Sequence, residues 1–433
     1  METKILDEIN IVMPQKVSYI IEALYERGYE AFAVGGCIRD CLLGREPKDW
    51  DITTNALPLD VKSIFPKTVD TGIEHGTVTV LLGGEGFEVT TYRIDGEYED
   101  ARHPKSVEFT GNLKLDLMRR DFTINAMAYN DKVGLVDEFE GKKDLQDRII
   151  RCVGAADTRF EEDALRILRA VRFSAQLGFS IHEDTCKAIK KKTHLLEKIS
   201  AERIKVELDK TLVSANPDRL LFAAQNTVFD HILCRLGSIL VSPQGNVLIE
   251  QIDRLHNVYD KKQLRINEKQ FLAICWTILI QNYNKEEAKQ HYRDLKSDNE
   301  LLRLSCALIE AKDENLIKDS YSIRKLVCKI GKSVAPCLFA MKWAMANTEE
   351  ERLHVKECEN IFKSEENVGH CMQLSDMKVS GKDLIKAGIQ PGRHMGDMLN
   401  LLLEGVLANP ENNNKEKLIE IALEYDGKMG IKM

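Results

Sequence analysis

The sequence of 433 residues lacks the features that are typical of membrane proteins, secreted proteins and proteins with structural zinc sites. Its longest apolar run, residues 271–280, is far too short to span a bilayer. Its eleven cysteines are irregularly spaced and include no CxxC pair, which favours reduced thiols over a disulfide framework or a zinc site. The first residues show no basic segment followed by an apolar one, so no signal peptide is expected. These absences predict a cytoplasmic protein without a membrane segment.

Further absences limit the arrangement and the function of the chain. It has no internal repeat and no linker rich in Pro, Ser or Gly. Residues 216–360 contain no His-Asp dipeptide with further spaced histidines, which a metal phosphohydrolase domain would need. Basic residues are not in excess, because 61 Lys and Arg stand against 69 Asp and Glu, for a net charge of −8. This balance argues against indiscriminate coating of nucleic acid and leaves a local basic groove open.

What is present is a globular composition, with 43% hydrophobic and 30% charged residues, and a length that predicts two to four domains. Up to about residue 150 the pattern predicts strands over 31–34, 49–54, 76–82 and 87–93, and helices over 14–27 and 38–43. Residues 83–86 are typical of a hairpin loop. Helical periodicity then continues to the end with no convincing strand, first over 160–177, 183–192 and 201–213. The sequence predicts a mixed head followed by a long helical part.

Two adjacent glycines, Gly35 and Gly36, join the first strand to the helix that follows it. Glycines let the backbone approach a ligand closely, and the start of a helix presents unpaired N–H groups to an anion. Arg39, in the first turn of the helix, can add a bidentate contact to a phosphate group. A tight strand-to-helix turn with a surface arginine is the alternative explanation of the same residues.

Two acids, Asp49 and Asp51, stand at the start of the next predicted strand. Side chains at positions i and i+2 of a strand point to the same side, so both carboxylates can hold a cation. Mg²⁺ prefers carboxylate and phosphate oxygens, which suits a nucleoside triphosphate site. An exposed acidic strand end is the alternative. Glu88, on the strand over 87–93, is either a third carboxylate of this site or a solvent-facing residue.

Two segments rich in arginine complete the candidate site. In the first, a helix is predicted to carry Arg119 and Arg120, whose side chains point about 100° apart, so one can face a phosphate while the other pairs with Asp116. In the second, the predicted core seam is Leu165, Leu168 and Val171, and alongside it run Asp163, Arg166, Arg169 and Arg172. An anionic ligand would compensate the charge carried into this packed helix face. A solvated, salt-bridged helix face is the alternative.

In this order and at these distances, the motifs resemble those of class II tRNA nucleotidyltransferases. These are template-independent CCA-adding enzymes, close relatives of bacterial poly(A) polymerases. The resemblance covers about the first 215 residues, with a weaker match over 384–399, and is carried by the GGxxRD turn, the DxD pair, RRDFTINA and EDALRILRAVRF. It implies an α+β fold, with a polymerase-β-like nucleotidyltransferase head of mixed sheet and helices before an all-helical neck, body and tail. The boundaries expected are 1–150, 151–215, 216–366 and 367–433.

The resemblance also implies roles for individual residues. Asp49 and Asp51 match the metal carboxylates, which implies a site for two Mg²⁺ ions. The residues that match nucleotide contacts are Gly36, Arg39, Arg120, Arg169 and Arg172, and the pair that matches the readers of the base is Asp163 and Arg166. The implied reaction is attack of a tRNA 3′-hydroxyl on the α-phosphate of CTP or ATP, with release of pyrophosphate.

Base choice by Asp163 and Arg166 is consistent with the hydrogen-bonding groups of the bases. Cytosine and adenine each present an amino donor beside a ring-nitrogen acceptor, which a carboxylate and a guanidinium can match. Uracil and guanine present a carbonyl beside a ring N–H, and would leave polar groups unpaired. One Asp/Arg pair is thus expected to accept CTP and ATP and to reject UTP and GTP.

The sequence leaves three other functions open. These are an A-adding enzyme that works with a separate CC-adding partner, a poly(A) polymerase, and a non-catalytic RNA-binding protein. The polar segment 95–106 resembles the loop that the family needs to add the final A, which favours CCA addition or A addition alone. The C-terminal residues 417–433 are not strongly basic, which argues against the poly(A) polymerase. The intact acid pair and the intact Asp/Arg pair argue against a non-catalytic protein.

The partner implied by the resemblance is tRNA, and two segments are candidates for binding it. A basic surface is predicted on the neck helices, formed by Lys187, Lys190, Lys191, Lys192, Lys198, Arg203 and Lys205. Phosphate contacts there would give salt-dependent affinity that is independent of sequence, and a solvated helix end is the alternative. In the tail, Lys382, Arg393 and the turn over 388–392 resemble a turn that contacts tRNA in the family, with a plain helix-to-helix turn as the alternative.

Overall fold

The computed structural model describes residues 11–96, 107–259, 264–392 and 394–430. The chain divides into two compact units, Met1–Asn246 and Val247–Met433. The predicted α+β fold, a mixed-sheet head followed by helices, is confirmed.

None of the helices in the described ranges is long and apolar enough to cross a membrane. All eleven cysteines are free in the structure. The four-domain division with boundaries near 150, 215 and 366 remains a prediction.

The first unit is built on a mixed sheet. The strands are β1 (Ala31–Val34), β2 (Asp51–Thr54), β3 (Thr68–Gly72), β4 (Thr77–Leu82), β5 (Glu85–Thr91), β6 (Arg93–Asp95), β7 (Val107–Phe109), β8 (Met127–Asn130), β9 (Gly134–Asp137), β10 (Ile149–Ile150) and β11 (Ser180–Ile181). Seven of them form one sheet in the order β3-β4-β5-β2-β1-β8-β9. Strands β2 and β5 run parallel, and the other neighbours in that sheet are antiparallel. The acid-bearing strand β2 therefore lies at the centre.

The strands differ from the sequence-based expectations in several details, and β3, β7, β8 and β9 were not predicted at all. Strand β2 begins at Asp51, so Asp49 lies two residues before it rather than on it. The hairpin between β4 and β5 is a turn of only Gly83 and Gly84, whose φ angles of 58° and 83° both lie in the left-handed region that a type I′ turn requires. Beyond residue 150 there is a strand after all, because β11 pairs in parallel with β10.

The helices of the first unit cover this sheet and then continue beyond it. They are α1 (Gln15–Glu26), α2 (Gly36–Leu42), α3 (Pro58–Ile64), α4 (Leu113–Met118), α5 (Gly141–Asp147), α6 (Ala156–Glu162), α7 (Leu165–Leu177), α8 (Glu183–Lys192), α9 (Ala201–Leu212), α10 (Arg219–Gln225) and α11 (Cys234–Val241). All four residues of β1 are buried, because β2 and β8 flank it and α1 packs against it. Phe32 and Val34 share a core cluster with Leu117 and Ala126.

Two predicted helices are interrupted, and both interruptions fall at the candidate site. Helix α4 ends at Met118, so Arg119 and Arg120 lie in the turn that follows it rather than inside a helix. The helix predicted over 160–177 breaks at Asp163, whose backbone is extended at φ −143° and ψ 104°. The side chain of Asp163 is consequently presented at a junction between α6 and α7 and not along a helix face.

The second unit is helical throughout its described residues. Its helices are α12 (Pro243–Tyr259), α13 (Glu268–Leu279), α14 (Lys285–Asp294), α15 (Asn299–Ala311), α16 (Ser320–Ile330), α17 (Ala335–Met345), α18 (Glu349–Val368), α19 (Gly381–Lys386), α20 (His394–Ala408) and α21 (Lys415–Gly430). Several begin at a capping box, in which the side chain of Asn267, Asn284 or Thr348 accepts a hydrogen bond from a backbone N–H of the first turn. Phe339 and Phe362 pack in one of its buried clusters.

Candidate active site

The strand-to-helix turn places two glycines against two arginine side chains. Gly35 has φ +85°, and a Cβ atom there would lie 3.0 Å from Nη1 of Arg120. Gly36 is the first residue of α2, and a Cβ atom there would lie 3.6 Å from Nη2 of Arg39. Glycine at position 35 thus satisfies both the left-handed backbone and the close approach of a guanidinium group. The turn carries positive charge where the sequence predicts a phosphate.

The acids lie beside this turn on the central strands. Asp51 pairs with Val34 of β1, the residue just before the turn. Glu88 is beside Asp51, because the next residues along the two strands, Ile52 and Val89, are partners in the parallel β2–β5 pair. Desolvation raises the pKa of the Asp51 carboxyl, Arg120 opposes the rise, and the negative charges of Glu88 and Asp49 add to it. The side chain of Asp51 is nevertheless exposed, so a cation has access to it.

The chemistry of these acids fits a divalent cation. A positive ion would relieve the repulsion that Asp51 experiences from Asp49 and Glu88. The described residues contain no group of three or more His, Cys, Asp or Glu side chains arranged to hold a metal ion. This is compatible with Mg²⁺, which is commonly bound by one or two carboxylates together with substrate phosphates. Asp49 and Asp51 remain the predicted residues for such an ion.

Arg39 is held in place by two side chains. Its Nε donates to Oδ1 of Asp40 at 2.9 Å, and its Nη1 donates to Oδ1 of Asn125 at 2.7 Å. Asn125 lies in the short turn over residues 123–125 that precedes β8, the strand next to β1. Arg39 therefore links helix α2 to the start of β8. These two contacts hold the guanidinium beside the glycine turn.

Three arginines surround the ring of Phe173 on α7. The guanidinium carbons of Arg39, Arg169 and Arg172 lie 5.2, 5.3 and 4.3 Å from the centre of that ring. Phe122 meets the same ring edge-on at 5.8 Å. The negative face of an aromatic ring favours adjacent cations, and it partly offsets their mutual repulsion. The arginine cluster therefore has an aromatic centre, which the sequence-based interpretation did not include.

Asp121 links this cluster to the turn. Its Oδ2 accepts from Nε and Nη2 of Arg169 at 2.8 and 2.5 Å, and its Oδ1 accepts from Nδ2 of Asn125 at 3.1 Å. Burial by itself raises the pKa of such a carboxyl, but the charge of Arg169 and these hydrogen bonds outweigh it and lower the pKa of Asp121 to about 2. Asp121 thus holds Arg169 and, through Asn125, Arg39.

Asp116 performs the same task for the arginine pair after α4. Its buried carboxylate accepts from Nε and Nη2 of Arg119 at 3.0 and 2.8 Å, and from Nη2 of Arg120 at 3.5 Å. Burial raises the pKa of Asp116, but the two arginines outweigh burial and the net effect is a lowered pKa. Both arginines contact the same acid, whereas the sequence predicted that only one would. Arg120 also carries its charge toward Asp51.

Asp163 and Arg166 have different partners in the structure. Oδ1 of Asp163 accepts from the backbone N–H of Leu165 at 3.0 Å, and Oδ2 accepts from Nη2 of Arg203 at 2.8 Å. Arg166 is buried, and its Nη1 donates to Glu162 at 2.5 Å while its Nη2 donates to the backbone oxygen of Arg119 at 2.8 Å. The two residues lie at the same helix junction, and their joint contact with a base remains a prediction.

Comparisons with known proteins agree with this geometry. Family models match residues 31–151 as the poly A polymerase head domain, 178–233 as an RNA and SrmB binding site of polymerase A, and 267–422 as tRNA nucleotidyltransferase domain 2. The CCA-adding enzyme of Ligilactobacillus salivarius is 37% identical over 425 residues, which cover 96% of each chain. The chain belongs to the CCA-adding enzyme family. Its head is that of a nucleotidyltransferase, and such enzymes use a divalent metal ion.

Solved structures of the family share the fold of the whole chain. The crystal structure of the Bacillus stearothermophilus CCA-adding enzyme in complex with CTP has a TM-score of 0.78 at 30% identity, and it covers 98% of this chain and 100% of its own. A CCA-adding enzyme in complex with ATP has a TM-score of 0.68 at 25% identity, covering 96% of this chain and 94% of its own. The structural similarity therefore extends over both compact units of this family member.

Within this family member, several of the predicted site residues are connected in the first unit. Asp51, Arg120 and the glycine turn are adjacent, and Arg39 connects the turn to Arg169 through Asn125 and Asp121. Sequence reasoning missed Asp121, Phe173 and the link from Asp163 to Arg203. A usable signal existed for two of them: Asp121 directly follows Arg120 in its motif, and Phe173 stands four residues after Arg169, which is one helical turn.

The structure shows the contacts of some, but not all, of the residues in the two predicted RNA-binding segments. On α8, Lys187 pairs with Glu183, Lys191 with Asp157 and Lys192 with Glu161. Exposed Lys190 on α8, and exposed Lys198 in the short helical turn after it, have no ion pair in the described ranges. Lys205 pairs with Asp209 on its own helix. In the tail, Gly388 has φ +105° and Lys382 is exposed on α19, while Arg393 and residues 97–106 of the predicted loop lie outside the described residues. The tail turn stays a prediction.

Proposed function

We propose that this chain adds C, C and A in succession to the 3′ end of tRNA, without a template, from CTP and ATP and with release of pyrophosphate. The observation that carries the proposal is the network that joins the acid pair, the glycine turn and the arginine cluster around Phe173. In a family of CCA-adding enzymes, such a network has the charges that a metal-bound triphosphate requires. Because the substrates are tRNA and nucleotides, we place the protein in the cytoplasm.

Each group of residues has a distinct task in this reaction. Asp49 and Asp51 would hold Mg²⁺, expected as two ions, whose chemistry is to activate the 3′-hydroxyl and to neutralise charge on the leaving pyrophosphate. Gly36, Arg39 and Arg120 line the turn and would bind the triphosphate. Arg169 and Arg172 extend this positive surface along α7. Fixing the phosphates in this way aligns the α-phosphorus with the attacking hydroxyl group.

Base choice falls to the junction between α6 and α7. Asp163 would accept a hydrogen bond from the amino group of cytosine or adenine, and Arg166 would donate to the ring nitrogen beside it. In the structure the Nη1 of Arg166 donates to Glu162 and to the backbone oxygen of Arg159. Reading a base thus requires Arg166 to share or exchange these acceptors. Glu88 has its charge close to Asp51, but no group of three acids among the described residues is arranged to hold a metal ion, so we propose only Asp49 and Asp51 for that site.

One incubation tests the proposal directly. Purified protein is given tRNA that lacks its 3′ end, or that ends in C or CC, together with each labelled triphosphate and Mg²⁺, and product lengths are read on a gel. Addition of CCA to the first substrate supports the proposal. Addition of A only to the CC-ending substrate would identify an A-adding enzyme, and long A tails on generic RNA would identify a poly(A) polymerase. No incorporation at all would reject the proposed activity.

The metal site has its own matched variants. Asp51→Asn keeps the size of the side chain and removes the charge that would bind the cation, so we expect incorporation of every nucleotide to fall on the order of a thousandfold or more. Asp70→Asn on β3 removes an equally exposed acid that pairs with Lys62 and should leave the rate unchanged. Equal activity of the Asp51 variant and wild type would remove Asp51 from the mechanism.

A further inference from the structure

The carboxylate of Asp163 is positioned from two sides, and only one of them belongs to its own helix junction. The backbone around Asp163 is extended, so helical geometry does not set the direction of its side chain. Oδ1 accepts from the N–H of Leu165, at the start of α7. Oδ2 accepts from Nη2 of Arg203, forty residues further along the chain. Arg203 therefore supplies the contact to Asp163 that the local chain cannot provide.

Arg203 lies in the first turn of α9, a helix that packs along α7. A second ion pair of α9, this time with α7 itself, joins Nε of Arg172 to Oε2 of Glu207 at 2.8 Å, one helical turn beyond Arg203. The two pairs together fix the position of α9 along α7. They place the guanidinium of Arg203 at the level of the α6–α7 junction, where it is three-quarters buried.

The guanidinium of Arg203 has little else to bind. Among the described residues, its ion pair is the one with Asp163. Its second amino group, Nη1, is buried and has no hydrogen-bond partner in the part of the chain that the structure describes. A surface arginine that binds RNA phosphates would instead direct its amino groups into solvent. The sequence-based placement of Arg203 on a basic RNA surface is therefore not the role that its contacts favour.

We propose that Arg203 is a positioning residue that fixes the Asp163 carboxylate and thereby sets the choice of base. This inference rests on the proposed function, in which Asp163 reads the amino group of the incoming base. With both oxygens tied, the carboxylate presents its remaining lone pairs in one direction. A uracil or guanine carbonyl placed there meets an acceptor and cannot be accommodated by rotation of the side chain. Without Arg203, Oδ2 is released and the carboxylate can turn away from the wrong base.

The test measures kcat/KM for CTP and for UTP on tRNA that lacks its 3′ end. For Arg203→Gln we expect the ratio of kcat/KM for CTP to kcat/KM for UTP to fall about tenfold, because a released Asp163 carboxylate no longer rejects the uracil carbonyl. Arg203→Lys keeps a charged donor but lacks the planar fork of two amino groups, so its ratio should lie between those of Arg203→Gln and wild type. Lys210→Gln removes an exposed positive charge from the same helix and should leave the ratio unchanged.

Other outcomes would overturn the proposal in distinguishable ways. A changed KM for tRNA with an unchanged CTP/UTP ratio would assign Arg203 to RNA binding. A lowered melting temperature with an unchanged ratio would assign it to structure alone. Should Arg203→Gln fail to fold, an unchanged ratio in Arg203→Lys is sufficient to reject the inference. A wild-type protein that incorporates neither nucleotide would reject the proposed function itself, and that result is separate from any change of ratio between variants.

Discussion

At the residue scale, the arginine cluster around Phe173 is held by acids that each neutralise one guanidinium group. The pairs are Arg39 with Asp40, Arg169 with Asp121, and Arg172 with Glu207. Burial lowers the pKa of Arg172, and the nearby charges of Arg169 and Arg39 lower it further, whereas Glu207 raises it. The charged form of Arg172 is therefore costly to keep in this cluster without its acid partner. The acids offset the burial of these cations, and a bound triphosphate would bring further negative charge to the cluster.

The first prediction concerns Asp121, whose carboxylate binds both Arg169 and Asn125. Its pKa of about 2 lies below the ordinary 3.8, so its stabilising effect is complete above about pH 4 and is lost as the pH falls toward 2. We expect Asp121→Asn to lose about 2 kcal/mol of unfolding free energy at pH 7. Urea unfolding of both proteins between pH 8 and pH 3 measures the difference.

That difference has a specific pH profile. Between pH 8 and pH 5 it should stay constant, and it should narrow only below about pH 4, where the wild-type carboxylate begins to take up a proton. Asp131→Asn changes an exposed acid near the end of β8 and should cost little at any pH. A gap between wild type and Asp121→Asn that already narrows between pH 8 and pH 6 would contradict the pairing of Asp121 with Arg169.

At the element scale, the predictable parts of the fold are those with a local cause. The buried strand β1 and the glycine turn after it follow from apolar residues and a left-handed backbone position, which are visible in the sequence. The break between α6 and α7 is not visible, because residues 160–177 keep helical periodicity across Asp163. The hydrogen bond from the Leu165 N–H to the Asp163 carboxylate, and the ion pair of that carboxylate with Arg203, stabilise the break. Such contacts depend on packing between distant segments, and local propensity does not encode them.

A second prediction follows from how α5 packs on the turn over residues 123–125. A Cβ atom at Gly141, the first residue of α5, would lie 2.3 Å from the backbone oxygen of Thr123. The turn cannot retreat freely, since Asn125 holds both Asp121 and Arg39. We expect Gly141→Ala to cost about 2 kcal/mol of unfolding free energy, measured by urea unfolding.

Gly111 provides the matched control for that substitution. A Cβ atom there meets nothing within 4 Å, and its φ angle is not in the left-handed region. Gly111→Ala should therefore leave stability unchanged or raise it slightly, because alanine restricts the unfolded chain. If both alanine variants lost stability equally, the contact between α5 and the turn would not be the cause.

At the scale of the whole molecule, the sequence motifs indicated the residues of the candidate site but not the ion pairs between them. The acids, the glycine turn and the arginines were all identified from motifs. Which cation meets which acid was not, because Asp121 and Arg169 are separated by 48 residues and Asp163 and Arg203 by 40. The net charge of −8 likewise gives no direct indication of an RNA partner, since a local surface can bind phosphates on an acidic protein. The distribution of unpaired lysines is the more informative quantity.

The last prediction uses that distribution. Lys190 and Lys198 are exposed and have no ion pair within the described ranges, so they can bind tRNA phosphates without breaking a contact. We expect tRNA affinity to fall as salt rises, and the slope of log K against log salt to decrease by about 1 in Lys190→Gln. Lys62→Gln, which removes a charge already paired with Asp70, should keep the wild-type slope. Equal slopes in all three proteins would show that tRNA phosphates are bound elsewhere than on α8.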